Sequence, residues 1–381
     1  MIYFDNSATT KIDPSALQSM MVTAEKYYGN PSSLHALGNQ AHNLLDHARQ
    51  QIADLFQCQS GEIFITSGGT ESNNWAIKGT AYEKKGRGKH IITSSVEHPS
   101  VRHTMAHLEE EGFEVTYLPV DKEGRVSVED LKAAIREDTI LVSIMAVNNE
   151  IGTKQPISAI GDLLEDYPTI HFHVDGVQSI GRYDYPLIHP RVDLFSVSAH
   201  KFNGPRGIGI MYKKRGRAIQ NLLEGGGQES GRRSGTENLP AIVAMAKALR
   251  LTLEGAKEEE QRHQAIQKVL REFLQQFPDR VKIFSPSQGT SDHVLCFGLK
   301  GVRGEVMVHA LEEKEIYVST TSACSSRQTG HSSSTLQAMG IDGTWARFAI
   351  RLSFGKNNTV EEAKQFIEVY RQLMDKFKRI Q

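Results

Sequence analysis

Between about residues 60 and 215, short runs of β-branched and aromatic residues alternate with stretches whose apolar positions recur every three or four residues. The runs Ile63–Thr66, His90–Val96, Val115–Val120, Ile140–Val147, Ile170–Val174, Leu194–Ser198 and Ile208–Tyr212 read as strands. Helical patterns over 71–84, 100–112, 127–136 and 157–166 fill most of the gaps. This alternation predicts βαβ units and a mainly parallel sheet. One connection breaks the pattern. About nine residues, including Gly204, Pro205 and Gly207, join the last two runs. A parallel crossover needs a dozen or more. The expected α/β sheet is therefore seven-stranded, with the final strand antiparallel.

Outside this region, Leu37, Ala41, Leu44, Ala48, Ile52 and Leu55 share one face of a helix that precedes the sheet. A long helical pattern covers 240–277, strands follow near 281–284 and 293–299, and a helix closes the chain over 361–378. These elements predict a second, smaller α/β domain. The expected division is a large domain over 16–250 and a small one made from 1–15 and 251–381. The chain has 381 residues, 39% of them hydrophobic, enough for two cores.

Charge and cysteines narrow the function. A formal net charge of -1 argues against a general nucleic-acid or membrane-surface binder. No apolar run approaches the roughly 18 residues of a membrane span. The opening MIYFDNSATT lacks the basic-then-apolar order of a secretion signal, so a cytoplasmic location is expected. Cys58 and Cys296 lie in apolar surroundings and read as small buried hydrophobes. Cys324 lies among Ser322, Ala323, Ser325 and Ser326, and reads as exposed. His103 and His107 stand four apart on a helix without an evident third ligand, so no metal site is assigned.

The chemistry gathers just after strand ends. Ser67-Gly68-Gly69-Thr70 follows the first strand, Glu97-His98 the second, Asn148-Asn149-Glu150 the fourth, Asp175 and Gln178 the fifth, and His200-Lys201 the sixth. In open α/β sheets, ligands bind beyond the carboxyl ends of the strands. The Gly-Gly-Thr stretch opens a helix, and free N–H groups there suit a phosphate. It carries neither the GxxxxGK[ST] nor the GxGxxG pattern. Asp175 ends an apolar run, where a carboxylate needs a partner such as a cationic ring nitrogen. Lys201 alone could be a surface charge. A phosphate loop, a strand-end aspartate and a strand-end lysine together meet the needs of pyridoxal phosphate, with His98 placed for proton transfer.

These residues resemble the cysteine desulfurases of the NifS/IscS type, within the fold-type I pyridoxal-phosphate enzymes. The matching strings are Tyr3-Phe-Asp-Asn-Ser-Ala-Thr-Thr10, Gly29-Asn-Pro-Ser-Ser-Leu-His35, Thr66-Ser-Gly-Gly-Thr-Glu-Ser-Asn-Asn74, Glu97-His-Pro-Ser100, Asn148-Asn-Glu-Ile-Gly152, His173-Val-Asp-Gly-Val-Gln178, Ser198-Ala-His-Lys201, Arg233-Ser-Gly-Thr-Glu-Asn238, Ser322-Ala-Cys324 and Arg351-Leu-Ser-Phe-Gly355. The resemblance implies conversion of L-cysteine to L-alanine, with the sulfur passed to Cys324 as a persulfide. Lys201 resembles the Schiff-base lysine. Asp175 would pair with the ring nitrogen, Gln178 with the ring oxygen, and His98 would stack on the ring as acid/base. Gly69, Thr70, Ser198 and His200 would hold the phosphate. Thr236 is similar to a residue that reaches the neighbouring subunit's phosphate, which implies a homodimer. Asn149, Arg351 and Asn30 would hold the substrate carboxylate.

The implied partner is a protein sulfur acceptor, either an iron–sulfur scaffold or a thiolation enzyme, with no direct contact to nucleic acid or membrane. Thr321 and Gly176 depart from the family's usual Gly and Ala, and the stretch after Cys324 is atypical. Selenocysteine lyase or another C–S lyase remains an alternative. So does a non-catalytic relative that binds partners; the presence of Lys201, Asp175 and Cys324 weighs against it.

Overall fold

A computed structural model describes residues 1–182, 186–321 and 333–378. Its strands, in chain order, are β1 (Ile2–Tyr3), β2 (Ile63–Thr66), β3 (His90–Ser94), β4 (Glu114–Leu118), β5 (Thr139–Met145), β6 (His171–Asp175), β7 (Leu194–Ser198), β8 (Gly209–Lys213), β9 (Val281–Ile283), β10 (Val294–Leu299), β11 (Ile316–Tyr317), β12 (Ser319–Thr320) and β13 (Ala349–Ser353). Strands β2 to β8 form one seven-stranded sheet in the order β2-β8-β7-β6-β5-β3-β4. Strand β8 runs antiparallel to both of its neighbours, and the other pairs are parallel. The short link before β8 thus has the consequence expected of it.

Several strands end earlier than their apolar runs. β3 stops at Ser94 and β5 at Met145, although Val96 and Val147 are buried. The chain leaves the ladder because other groups claim its backbone. Asn148 Nδ2 donates to the Val96 carbonyl at 3.1 Å, and Asn148 N to the Thr153 carbonyl at 2.9 Å. Burial accounts for Val96, while Val147 pairs away from the sheet, in an isolated antiparallel bridge with Lys154.

Helices cover the sheet: α1 (Pro14–Lys26), α2 (Ala36–Phe56), α3 (Gly69–Lys84), α4 (Pro99–Glu110), α5 (Val128–Ala134) and α6 (Ile157–Leu164). Ala41, Leu45, Ala48, Ile52 and Phe56 of α2 enter the main core. Truncating a side chain buried like Ile52 to Ala typically costs about 2–5 kcal/mol. Helix α1 has no counterpart among the predicted elements. Its start is well marked: Asp13 accepts from Ser15 N at 2.8 Å, and Pro14 occupies the first turn. Its apolar stripe is incomplete, because Leu17 and Met21 remain exposed.

A second core gathers Ile2 and Phe4 with Phe297, Phe354, Phe366 and Tyr370. It packs around the antiparallel sheet β12-β13-β10-β9, and β1 pairs with β11 beside it. The helix Leu239–Leu274 contributes Leu249 to the first core and Ile266 to the second. The N-terminal segment also ties the two regions together. Ser7 N donates to Ser353 Oγ at 2.8 Å, while Thr10 Oγ1 donates to the His200 carbonyl at 2.9 Å.

Candidate active site

A cavity of about 940 Å³ opens at the carboxyl ends of the large sheet's strands. Helix α3 begins at its floor. Gly68 takes φ +148°, a conformation that strains residues bearing a Cβ, and it turns the chain sharply from β2 into the helix. Gly68 offers no side-chain cap to this 16-residue helix, so among the described residues its first N–H groups are left for a ligand. Gly69, Thr70, Ser198 and His200 surround that end and line the cavity. His200 Nδ1 lies 3.1 Å from Thr9 Oγ1. Burial and the nearby Lys201 and Arg206 cations lower its pKa to about 4, so the ring is neutral at pH 7.

Asp175 ends β6 and is 4% exposed. Its Oδ1 accepts from Val177 N at 3.0 Å and its Oδ2 from Asn73 Nδ2 at 2.8 Å. No salt bridge neutralises it among the described residues. Asn73 also donates to Ser100 Oγ at 2.9 Å, and Ser100 Oγ lies 2.9 Å from His98 Nδ1. Because Ser100 N donates to the same Nδ1 at 3.1 Å, that nitrogen is the acceptor and the neutral ring's proton sits on Nε2. Burial first, then the Lys201, Arg102 and His103 charges, hold His98 below the usual imidazole value, with Asp175 opposing. Gly176 next to Asp175 has no room for the family's Ala. A Cβ there would lie 2.0 Å from Phe195 Cζ.

Lys201 follows β7 in a single 3-10 turn, Ala199–Lys201. Its Nζ donates to the Ser7 carbonyl at 2.5 Å and the Ala8 carbonyl at 2.8 Å. Gln178 Nε2 donates to the same Ser7 carbonyl at 3.0 Å. Arg351 of β13 also lines the cavity and is 4% exposed. Its Nη1 donates to the Asn149 carbonyl at 3.0 Å and its Nη2 to Asp5 Oδ1 at 2.8 Å, while Nε is buried and donates to nothing among the described residues.

The single chain therefore brings His98, Asp175, Gln178, Gly69, Thr70, Ser198, His200, Lys201, Asn149 and Arg351 to one cavity. Asn30 and Thr236 are exposed and do not line it. Cys324 lies outside the described residues; Thr321 and Ser333, on either side of that segment, both line the cavity. Sequence reasoning gave no role to Asn73, Ser100 or Asp5. All three stand inside the matching strings, and their polarity beside the assigned residues was the available signal. The Ser7 and Ala8 carbonyls gave no signal, since a backbone acceptor has no side-chain signature.

The family model for "Aminotransferase class-V" matches residues 2–366. The chain belongs to the class-V aminotransferase family. Among its relatives is a "NifS/IcsS protein homolog" of Lactobacillus delbrueckii subsp. bulgaricus, 56% identical over 100% of this chain and 99% of that protein. A "Cysteine desulfurase IscS" of Methanosarcina thermophila is 42% identical over 100% of this chain and 93% of the relative. A solved "NIFS-LIKE PROTEIN" superposes with a TM-score of 0.92 at 38% identity, covering 98% of this chain and 99% of the other. A structure titled "SspA in complex with cysteine" gives a TM-score of 0.80 at 32% identity, over 93% and 99%.

Pyridoxal phosphate, the cofactor of this class-V enzyme, fits the residues present. The uncapped helix end suits its phosphate. The buried Asp175 carboxylate, bound by the neutral donors Asn73 and Val177 N, suits a protonated ring nitrogen. Lys201 reaches the same cavity.

Proposed function

We propose that this class-V enzyme is a cysteine desulfurase, taking sulfur from L-cysteine, releasing L-alanine and storing the sulfur as a persulfide on Cys324. The observation that carries the reading is the span of one cavity. Its Asp175–Lys201 end suits pyridoxal phosphate, and its Arg351 end suits an amino-acid carboxylate. When bound, the cofactor supplies an electron sink for bond breaking at the amino-acid carbons.

The chain's own residues do the rest. Arg351 binds the substrate carboxylate through N–H groups that Asp5 and Asn149 leave free. Lys201 Nζ takes the α-proton. Neutral His98, held by Ser100 with its proton on Nε2, would handle protons at the bound cofactor. Cys324, as thiolate, attacks the substrate sulfur. A sulfur–sulfur bond forms, the substrate Cβ–S bond breaks, and its electron pair stays with the carbon fragment, which is protonated to alanine. Free thiols are only a few per cent ionised at neutral pH, so a base must accept the Cys324 proton.

The proposal includes a two-domain division, 16–250 and 1–15 with 251–381, in which β13 of the second unit supplies Arg351 to the cavity. It also includes a homodimer. Tyr28 and Leu34 are 74% and 95% exposed, beside an Asn30 that does not reach its own chain's cavity, and a second copy would cover them. A protein sulfur acceptor and a cytoplasmic location complete it. Free Cys58 and Cys296 suit a reducing compartment, and no helix among the described residues is long and apolar enough to cross a membrane.

The test is a single turnover of the cofactor-loaded protein with L-cysteine labelled in sulfur. One alanine per protein-bound labelled sulfur is expected, and Cys324→Ala should hold no persulfide. Label retained by that variant rejects the nucleophile. Pyruvate and free sulfide in place of alanine and persulfide reject desulfuration.

A further inference from the structure

We propose that His293 is a positioning residue that locks the Gln178 amide as a hydrogen-bond donor toward the ring oxygen of the cofactor. This rests on the cofactor reading above and adds a residue to it. Two one-way neighbours fix the orientation of the Gln178 amide. The Ser7 carbonyl can only accept, so the Gln178 atom 3.0 Å from it is Nε2. The Arg182 guanidinium can only donate, so the Gln178 atom 3.4 Å from its Nη1 is Oε1.

His293 Nε2 lies 3.3 Å from that same Oε1, and therefore carries a proton. Its Nδ1 accepts from Ser291 Oγ at 2.6 Å. Polarity runs one way along the chain: Ser291 donates to His293, His293 to Gln178, and Gln178 to Ser7. The Ser7 carbonyl also receives Lys201 Nζ. His293 is 1% exposed, and burial, aided by the Arg182, His263, Arg351 and Lys154 charges, pushes its pKa well down. The ring thus stays neutral, in the one tautomer this chain of bonds requires.

Gln178 Nε2 has two N–H groups, and Ser7 takes one. The other is available to the cavity that Gln178 lines. Without His293, Oε1 would keep only the longer Arg182 bond. A flipped amide would set one acceptor against another at the ring oxygen, which is unfavourable in a site shielded from water. His293 stands just before β10 of the smaller sheet, so a residue beside that sheet controls a group in the turn after β6.

The test is the pH titration of the holoenzyme's visible absorbance. A donor to the ring oxygen stabilises its anionic form and lowers the chromophore's proton affinity. His293→Asn and His293→Leu, which place no donor at the Nε2 position, should raise the midpoint by about half to one pH unit. His293→Gln, whose amide reaches that position, should restore it. Gln178→Leu should shift it the same way, and adding His293→Asn to Gln178→Leu should change nothing more. An unmoved midpoint in both loss variants overturns the proposal, as does a full additional shift in the Gln178→Leu background. A wild-type band that ignores residue 293 defeats this inference alone. A wild type that takes up no cofactor defeats the functional reading as well.

Discussion

Asp193 and Asp175 lie at opposite ends of the same sheet, and their surroundings could hardly differ more. Asp193, just before β7, is fully buried, with Oδ2 accepting from Arg191 Nη1 at 2.8 Å and Phe172 N at 2.9 Å, and Oδ1 from Arg217 Nε at 2.7 Å. Two cations cancel its charge within the protein. Asp175, at the carboxyl end of β6, has among the described residues only the neutral donors Asn73 and Val177 N. A third acid, Glu97, follows β3. Its Oε1 accepts from Ser94 Oγ at 2.5 Å and Met145 N at 3.0 Å, and its Oε2 has no partner among the described residues. Burial, partly offset by those hydrogen bonds, raises its pKa to about 8, so a proton neutralises it. A buried acid needs arginines, a proton or a ligand. Of these three acids only Asp175 lines the cavity, and there the missing cation marks function.

The largest effect should come from removing that unbalanced acid. Asp175→Ala should lower kcat/KM for desulfuration about 1000-fold, equivalent to about 4 kcal/mol of transition-state stabilisation. The cofactor-free protein should lose no more than about 1 kcal/mol in denaturant unfolding, because removing an uncompensated buried charge offsets the loss of the Asn73 and Val177 hydrogen bonds. Asp193→Asn reverses the pattern. Leaving Arg191 buried with a weakened partner should cost about 3–5 kcal/mol of stability, with kcat per folded molecule little changed. Equal stability losses in the two variants would end the distinction drawn between these acids.

That distinction was half legible in the sequence. Asp175 was visible because it ends an apolar run, as were the other strand-end groups, since a parallel sheet delivers such residues to one edge. The antiparallel β8 was legible from chain length alone. Asn73, which holds Asp175, was hidden because helix α3 folds it inward from a string of polar residues. Asp5 and Arg351 stand 346 residues apart, and local pattern carries no information at that separation. Helix α1 was missed because part of its apolar stripe faces outward, which weakens the contrast that periodicity detects.

Glu97 sharpens the comparison through pH. Its pKa in the fold is raised to about 8, from 4.5 for the free side chain. The native state therefore holds a proton that the unfolded chain releases. The stability this confers is complete below about pH 4.5, declines as pH rises, and is gone above about pH 8. Glu97→Gln mimics the protonated acid. It should match the parent near pH 4.5 and exceed it at pH 8.5, by an amount on the order of a few kcal/mol in denaturant unfolding. A constant difference between the proteins across this range would mean that Glu97 is ionised in the fold, leaving Asp175 as one of two uncompensated acids.

The smallest expected effect tests how tightly the backbone beside Asp175 is set. A Cβ at Gly176 would meet the Phe195 ring at 2.0 Å, and Phe195 in turn packs edge-on against Phe56, with centroids 6.1 Å apart. The ring cannot withdraw without disturbing that contact. Gly176→Ala should therefore cost about 1–3 kcal/mol through overpacking. Phe195→Leu alone should also destabilise, by emptying part of the core. Together they should cost less than the sum of the two, because the smaller side chain admits the new methyl group; a coupling of at least about 0.5 kcal/mol is expected. Additive losses would show that the strain is taken up by the backbone at Asp175 instead. In that case the double variant should also bind pyridoxal phosphate as weakly as Gly176→Ala does.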